Sequence, residues 1–237
     1  MFTVALIGPD GAGKSTIGRR LQASLGLPIK YVYMGINLEA SNVMLPTTRL
    51  ALAYKRSGGG TLAMGGPPDP DKVKAPPKGA AKRLVSEVKS GARMVFLMAE
   101  EWYRQLVIEY YQLRGNVVLV DRHFVFDYYY HDIVRTRGYR PFSSRAHGYM
   151  LEHMYPRPDL VICLDAPAEV LYNRKGEGSV AAIEKRRQEY LQLADLVEHF
   201  VVVDVTQPED VVASQVTQIV QDFYRARSGG LQKVANG

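Results

Sequence analysis

The stretch Phe2-Thr3-Val4-Ala5-Leu6-Ile7-Gly8-Pro9-Asp10-Gly11-Ala12-Gly13-Lys14-Ser15-Thr16 decides the fold of this 237-residue chain. Its first part is continuously apolar, which is typical of a strand that is buried on both faces. Its second part fits the pattern G-x-x-x-x-G-K-[ST], and a helical pattern follows from about Lys14 to Leu25, with Gly26 as a stop. A strand, a glycine-rich loop and a helix in this order predict a phosphate-binding loop at residues 8–16.

The residue types in this phosphate loop suit a nucleotide and a metal ion. Glycines allow backbone conformations in which amide groups close on phosphate oxygens, and the positive end of the following helix faces the same anion. We expect Lys14 to bridge the β and γ phosphates of ATP and the Ser15 hydroxyl to ligate Mg²⁺. The predicted ATP-binding residues of the loop are Gly8, Asp10, Gly11, Ala12, Gly13, Lys14, Ser15 and Thr16.

Apolar runs and helical patterns alternate along the rest of the chain. The other predicted strands are 31–34, 117–120, 160–164 and 200–205, and the other predicted helices are about 81–114, 168–174, 180–197 and 208–227. Strands that alternate with helices predict crossover units and a doubly wound sheet. The expected fold class is therefore α/β with three layers, in which a central, mostly parallel five-stranded sheet is flanked by helices.

Composition sets limits on partners and compartment. Lys plus Arg is 30 and Asp plus Glu is 24, an excess that fits a protein handling phosphorylated small molecules as well as a nucleic-acid binder. We expect no nucleic-acid partner, because no RNA- or DNA-binding motif accompanies the charge. We expect no membrane partner and a cytoplasmic location, because neither a signal peptide nor an apolar run of ~18 residues is visible. The one cysteine, Cys163, is predicted to be a core residue.

Two segments depart from the globular pattern. Residues 57–82 are rich in Gly, Pro, Lys and Ala, which predicts a mobile loop because such a segment cannot bury enough apolar surface. Residues 228–237 are predicted to form a flexible tail. The rest is expected to be a single domain over residues 1–227.

A second cluster of polar residues follows the predicted strand at 117–120. Because ligands bind beyond the carboxyl ends of strands in an open parallel sheet, Asp121 is expected near the phosphate loop, placed to hold Mg²⁺ or its water shell. Arg122 could clamp a phosphate of the acceptor. Residues 123–132 are dense in aromatic side chains, which are equally compatible with core packing and with a pocket that stacks a planar base.

Together these motifs resemble those of thymidylate kinases. The phosphate loop is similar to the family's G-x-D-G-A-G-K-S-T loop, and Asp121-Arg122-His123 resembles its D-R-[YFH] signature. Residues 157–167 look like its P-D-L…L-D-x-P stretch, and residues 204–208 like its D-A-x-Q-P segment. Order and spacing agree over residues 1–30 and 93–227, and the resemblance implies a three-layer α/β P-loop kinase fold.

The resemblance implies roles for further residues. Thr206, Gln207 and Pro208 would lie against the adenine of ATP, as the matching segment does in the family. A lid would cover about residues 173–187, and Arg174 is expected to bind ATP and to stabilise the transferring phosphoryl group. A homodimer is also implied. The predicted catalytic residues are Lys14, Asp121, Arg122 and Arg174.

The acceptor side departs from the family pattern. Many members have R-E-P-G-G-T after the second strand, where this chain has Tyr33-Met34-Gly35-Ile36-Asn37-Leu38-Glu39. Glu100 stands where the family carries an acceptor-binding Arg, and His131 replaces the Gln that follows the base-contacting Tyr. The predicted substrate-binding residues are Arg49, Glu100, Arg104, Arg122 and Tyr130.

Three functions remain open on the sequence. The favoured one is transfer of the γ-phosphoryl of ATP to a nucleoside monophosphate, dTMP or similar. A second is transfer to a hydroxyl of a nucleoside, sugar or other metabolite, with Glu39, Glu100 or Glu101 as a base. A third is a non-catalytic nucleotide-binding module, which intact Lys14 and Asp121 disfavour.

Overall fold

A computed structural model of the chain describes residues 1–35, 41–58, 79–134, 139–176 and 178–235. Five strands form one sheet in the order β2-β3-β1-β4-β5. β1 pairs in parallel with β3 and with β4, and β4 pairs in parallel with β5. The strands are β1 (Thr3–Ile7), β2 (Ile29–Tyr33), β3 (Val117–Asp121), β4 (Leu160–Asp165) and β5 (Phe200–Asp204).

Helices flank this sheet, and several of them begin and end close to their predicted positions. They are α1 (Lys14–Ser24), α2 (Pro46–Ser57), α3 (Ala80–Leu113), α4 (Phe124–Tyr128), α5 (Phe142–His153), α6 (Ala168–Lys175), α7 (Val180–Leu191) and α8 (Glu209–Ala235). A π-helix (Tyr129–Val134) follows α4, and a 3₁₀-helix (Gln192–Leu196) follows α7. The sequence did not predict α2, α4, the π-helix or α5.

The parallel sheet, its strand order and the loop between β1 and α1 confirm the predicted fold class, a three-layer α/β P-loop kinase fold. Every residue of β1 and β3 is buried, as their continuous apolar runs predict. β5 differs, because it lies at the edge of the sheet and Val202 is exposed. Cys163 in β4 is buried, as predicted.

The chain divides into two compact units. The first comprises Met1–Tyr31, Tyr111–Arg122 and Pro158–Gly237, and its core is formed by apolar residues of the strands together with α1, α6 and α8. The second comprises Val32–Tyr110 and His123–Arg157. One domain over residues 1–227 stays a prediction.

Several predicted segments fall partly outside the described residues. The proposed mobile loop at 57–82 overlaps the end of α2 and the start of α3, and its residues 59–78 are not described. The proposed lid at 173–187 corresponds to the end of α6 and most of α7, without residue 177. α8 runs to Ala235, beyond its predicted end at 227, and the flexible tail stays a prediction. Within the described ranges, no helix is long and apolar enough to cross a membrane.

Candidate active site

The phosphate loop lies between β1 and α1 in the first unit, and its backbone has the conformation that the glycine pattern requires. Gly8 and Gly11 have φ angles of 137° and 88°. A Cβ atom at Gly8 would lie 2.3 Å from the carbonyl oxygen of Leu164, and one at Gly11 would lie 2.7 Å from that of Leu171. The loop therefore packs against neighbouring backbone so closely that only glycine fits at these two positions.

Lys14 opens α1 and is buried. Its Nζ donates hydrogen bonds to the carbonyl oxygens of Gly8, at 2.8 Å, and Pro9, at 2.7 Å. The first turn of α1 contains no acidic residue and no side chain caps it. An ammonium group and the positive end of a helix thus meet at the loop, which is an arrangement suited to an anion.

Asp121 ends β3, and two side chains of the first unit bind one of its oxygens. The Ser15 hydroxyl donates to Oδ2 at 2.5 Å, and the Tyr31 hydroxyl donates to the same atom at 2.6 Å. Within the described part of the chain, the buried Oδ1 has no hydrogen-bond partner. Asp121 thus lies beside the phosphate loop, where the end of its strand was expected to place it. Its buried Oδ1 has bonding capacity left for a cation or its water.

Tyr31 reaches Asp121 because of a glycine on α1. A Cβ atom at Gly18 would lie 2.7 Å from Cε2 of the Tyr31 ring, so the ring occupies the space of a missing side chain. Burial, followed by the charge of Asp121, raises the pKa of Tyr31, and its hydroxyl stays a donor. Nothing in the sequence pattern pointed to this contact, because Tyr31 lies 90 residues from Asp121.

Arg122 has a φ of 70°, which is uncommon for a residue with a side chain and costs on the order of 1 kcal/mol. Its Nη2 donates to Oδ1 of Asp10 at 2.7 Å. Burial would raise the pKa of Asp10, but the charges of Arg122, Lys14 and Lys175 outweigh it and lower that pKa to about 2. Asp10 is therefore ionised and holds the guanidinium beside the phosphate loop.

Arg174, near the end of α6, contacts the segment predicted to lie beside adenine. Its Nη2 donates to the carbonyl oxygen of Val205 at 2.7 Å. Thr206, which follows, is fixed by Asp204, whose carboxylate accepts from both its backbone N–H and its hydroxyl. Arg187, in the predicted lid, forms a two-bond pair with Asp165 at 2.7 and 2.9 Å. The catalytic role of Arg174 stays a prediction.

In the second unit, Glu100 and Arg104 are fully buried and paired with each other on α3. Glu100 also accepts from the Thr48 hydroxyl, and Arg104 also donates to the carbonyl oxygen of Gly35 and to Ser41. Arg49 lies exposed on α2. Tyr130 lies half-buried in the π-helix, with its ring against Tyr129. Substrate contacts by these residues stay predictions, and Glu39 lies outside the described residues.

A second buried polar cluster in this unit was not predicted. His147 lies between two carboxylates, with Nδ1 2.7 Å from Asp132 and Nε2 3.1 Å from Glu101. Burial would lower the pKa of His147, but its hydrogen bonds to Asp132 and Glu101 outweigh that and raise the pKa to about 9. The Tyr155 hydroxyl donates to Glu101 at 2.8 Å. The cluster therefore contains an imidazolium that links α3, the π-helix and α5.

Two curated proteins are similar to parts of this chain, and no protein-family model matches it. "Probable thymidylate kinase 1" of Saccharolobus solfataricus is 35% identical over 78 residues, which are 30% of this chain and 41% of that protein. "Probable thymidylate kinase" of Archaeoglobus fulgidus is 31% identical over 116 residues, which are 46% of this chain and 55% of that protein. The chain thus spans about half the length of the curated relatives it matches. Together with the P-loop kinase fold, these similarities confirm the predicted resemblance to thymidylate kinases.

Proposed function

We propose that the chain is a phosphotransferase that moves the γ-phosphoryl group of ATP to a nucleoside monophosphate, dTMP or a similar nucleotide. The observation that carries the proposal is the first unit's combination of a glycine-framed loop, the buried Lys14 and the Ser15–Asp121 pair. In the reaction, an acceptor phosphate oxygen forms a bond to the γ-phosphorus. The bond from that phosphorus to the β–γ bridging oxygen breaks, and ADP leaves.

The residues near Asp121 fit a magnesium ion. Ser15 Oγ and Oδ1 of Asp121, which accepts no hydrogen bond from the described residues, are hard oxygen ligands of the kind that Mg²⁺ prefers. When bound, the ion would neutralise charge on the β and γ phosphates. Tyr31 would hold the carboxylate in place through the other oxygen, Oδ2.

Lys14 and two arginines supply the remaining positive charge. Lys14 would exchange its carbonyl partners in the phosphate loop for phosphate oxygens. Arg122, held by Asp10, would bind the acceptor phosphate, and Arg174 would stabilise charge that develops on the transferred group. An attacking phosphate is already ionised at neutral pH, so this reaction needs no general base.

Two of the three carboxylates that were predicted as a base for a hydroxyl acceptor, Glu100 and Glu101, are already engaged by the protein. A hydroxyl would benefit from a carboxylate base. Glu100 and Glu101 are both fully buried, and each already accepts hydrogen bonds from two or more protein groups. The monophosphate is therefore the acceptor that we favour, in agreement with the names of the two similar proteins.

A homodimer is part of the proposal, and α3 supplies the surface. Leu84, Val88, Val95 and Leu106 are exposed and spaced at 4, 7 and 11 residues, which places them on one face of the helix. Such an exposed apolar stripe on one helix face is a surface that a second copy of the chain could cover. Light scattering should give the mass of two chains for the wild type and of one chain for Leu106→Glu.

The test of the main proposal is a substrate panel. The protein is incubated with ATP, Mg²⁺ and each of a set of nucleoside monophosphates, nucleosides and sugars, and ADP release is measured. Turnover with dTMP or a related monophosphate, dependent on both substrates, is the expected result. No ADP release with any monophosphate, or turnover only with hydroxyl acceptors, would overturn the proposal.

A further inference from the structure

Two charged side chains on α3 are sealed inside the second unit. Glu100 and Arg104 are both 0% exposed, and Nη2 of Arg104 lies 3.0 Å from Oε1 of Glu100. Burying two charges is costly unless further hydrogen bonds satisfy them. Their other partners therefore indicate what the pair does.

Glu100 caps α2. The residue before this helix is Leu45, whose side chain cannot accept a hydrogen bond, and the first turn of α2 contains no acidic residue. Oε2 of Glu100 accepts from the backbone N–H of Leu45 at 3.2 Å and from the Thr48 hydroxyl at 2.6 Å. A carboxylate in this place satisfies a backbone N–H that the start of a helix leaves unpaired, and it lies at the positive end of the helix. α3 thus supplies the cap that the sequence of α2 lacks.

Arg104 fixes the chain that leads into α2. Its Nη1 donates to the carbonyl oxygen of Gly35 at 2.9 Å, and its Nη2 donates to Oγ of Ser41 at 3.1 Å. The Ser41 hydroxyl in turn donates to the carbonyl oxygen of Val43 at 2.8 Å. One guanidinium therefore holds the segment after β2 and the segment before α2, while its Nε holds Glu100.

We propose that Glu100 and Arg104 are positioning residues that set the place of α2 for acceptor binding, and that neither contacts the acceptor. This inference rests on the proposed function. A fully buried guanidinium bound to three protein groups offers no surface to a ligand, whereas Arg49 is exposed on the first turns of α2. Arg49 adjoins Thr48, which Glu100 holds. The pair thereby acts on the acceptor through Arg49.

Thr48 distinguishes positioning from direct contact. Thr48→Val keeps the shape of this buried residue and removes only the hydroxyl that binds Glu100. We expect Thr48→Val and Glu100→Gln each to raise KM for dTMP about tenfold and to leave KM for ATP within about twofold. Thr48→Ser, which retains the hydroxyl, should have the same KM for dTMP as the wild type. Thr47→Val, at the exposed neighbour, is the matched control.

Two kinetic results would overturn the inference. If Glu100→Gln raises KM for dTMP and Thr48→Val does not, Glu100 contacts the acceptor directly. If KM rises equally for ATP and dTMP, the pair is structural and has no particular bearing on the acceptor.

Hydrogen exchange separates this inference from the proposed function. Peptides covering residues 46–57 should exchange faster in Glu100→Gln and Thr48→Val than in the wild type, while peptides covering α1 should not change. Unchanged exchange in α2 would overturn the inference even if dTMP is a substrate. Absence of turnover with every monophosphate would overturn the proposed function and, with it, the effect of Glu100 and Arg104 on acceptor binding. Hydrogen exchange would still show whether these two residues hold α2 in place.

Discussion

The two units use buried charge in opposite ways. In the first unit, the carboxylate of Asp121 keeps one buried oxygen without a partner among the described residues, and the loop beside it presents an ammonium group and a helix start. In the second unit, Glu100 is engaged by an arginine and by α2, and Glu101 by a histidine and a tyrosine. A ligand site needs polar atoms that can still form hydrogen bonds, whereas polar atoms that are fully hydrogen-bonded within the protein stabilise its structure. Substitutions in the first unit should therefore change turnover, and those in the second should change stability or position.

The largest expected effect is on turnover in the first unit. Lys14→Ala removes the one ammonium group that the loop holds at its own carbonyl oxygens. We expect kcat/KM to fall by at least about 10²-fold, roughly 3 kcal/mol of transition-state stabilisation, with little change in the melting temperature. Lys30→Ala, at an exposed lysine of β2, is the matched control. Full activity in Lys14→Ala would show that the loop is not the phosphate site.

The second effect is a loss of stability at alkaline pH that originates in the second unit. The pKa of His147 is raised from an unfolded value near 6.5 to about 9, so its stabilisation is complete below pH ~6.5 and is lost as pH rises through 9. The shift corresponds to roughly 3 kcal/mol. Urea unfolding between pH 6 and 9, followed by fluorescence of Trp102, should show this decline. At pH 6, His147→Gln should have a lower free energy of unfolding than the wild type, and its stability should depend less on pH. If its stability falls with pH as steeply as that of the wild type, other groups cause the decline.

The part of the candidate site that lies in one short stretch of sequence was predicted correctly. The phosphate loop, β1 and α1 were predicted almost to the residue, because spacing within nine residues sets both the backbone and the ligand groups. The position of Asp121 beside this loop followed from a general rule about the ends of parallel strands, whereas its hydrogen bond from Ser15 was not predicted.

The second unit could not be predicted in the same way. Glu101 and His147 are 46 residues apart, and no periodicity shows that one will neutralise the other. Glu100 was predicted as a substrate ligand because of its position in the family pattern. In the structure it caps α2, a helix that was not predicted and whose own start carries no capping residue. Tertiary contacts of this kind override local propensity and leave no local pattern.

The third effect tests how closely the second unit is packed around its buried cluster. A Cβ atom at Gly148 in α5 would lie 2.0 Å from the carbonyl oxygen of Asp132, so Gly148→Ala should lower the free energy of unfolding by roughly 1–3 kcal/mol. Gly91→Ala in α3 meets no atom within 4 Å and should instead stabilise by roughly 0.5–1 kcal/mol. Urea denaturation measures both, and equal effects at the two glycines would contradict the close approach of α5 to the π-helix.

The smallest expected effect is in the first unit, at Tyr31, which supports a carboxylate that still has an oxygen available for a ligand. Tyr31→Phe removes a hydroxyl that donates to Oδ2 of Asp121 and leaves Oδ1 untouched. Loss of one hydrogen bond to a carboxylate is worth about 1.5 kcal/mol, so the Mg²⁺ concentration for half-maximal turnover should rise roughly tenfold. Calorimetry of ATP binding at several Mg²⁺ concentrations should show the same shift, and Tyr224→Phe in α8 should show none. An unchanged Mg²⁺ midpoint would mean that Ser15 alone is sufficient to orient Asp121, and that Tyr31 serves only the packing between β2 and α1.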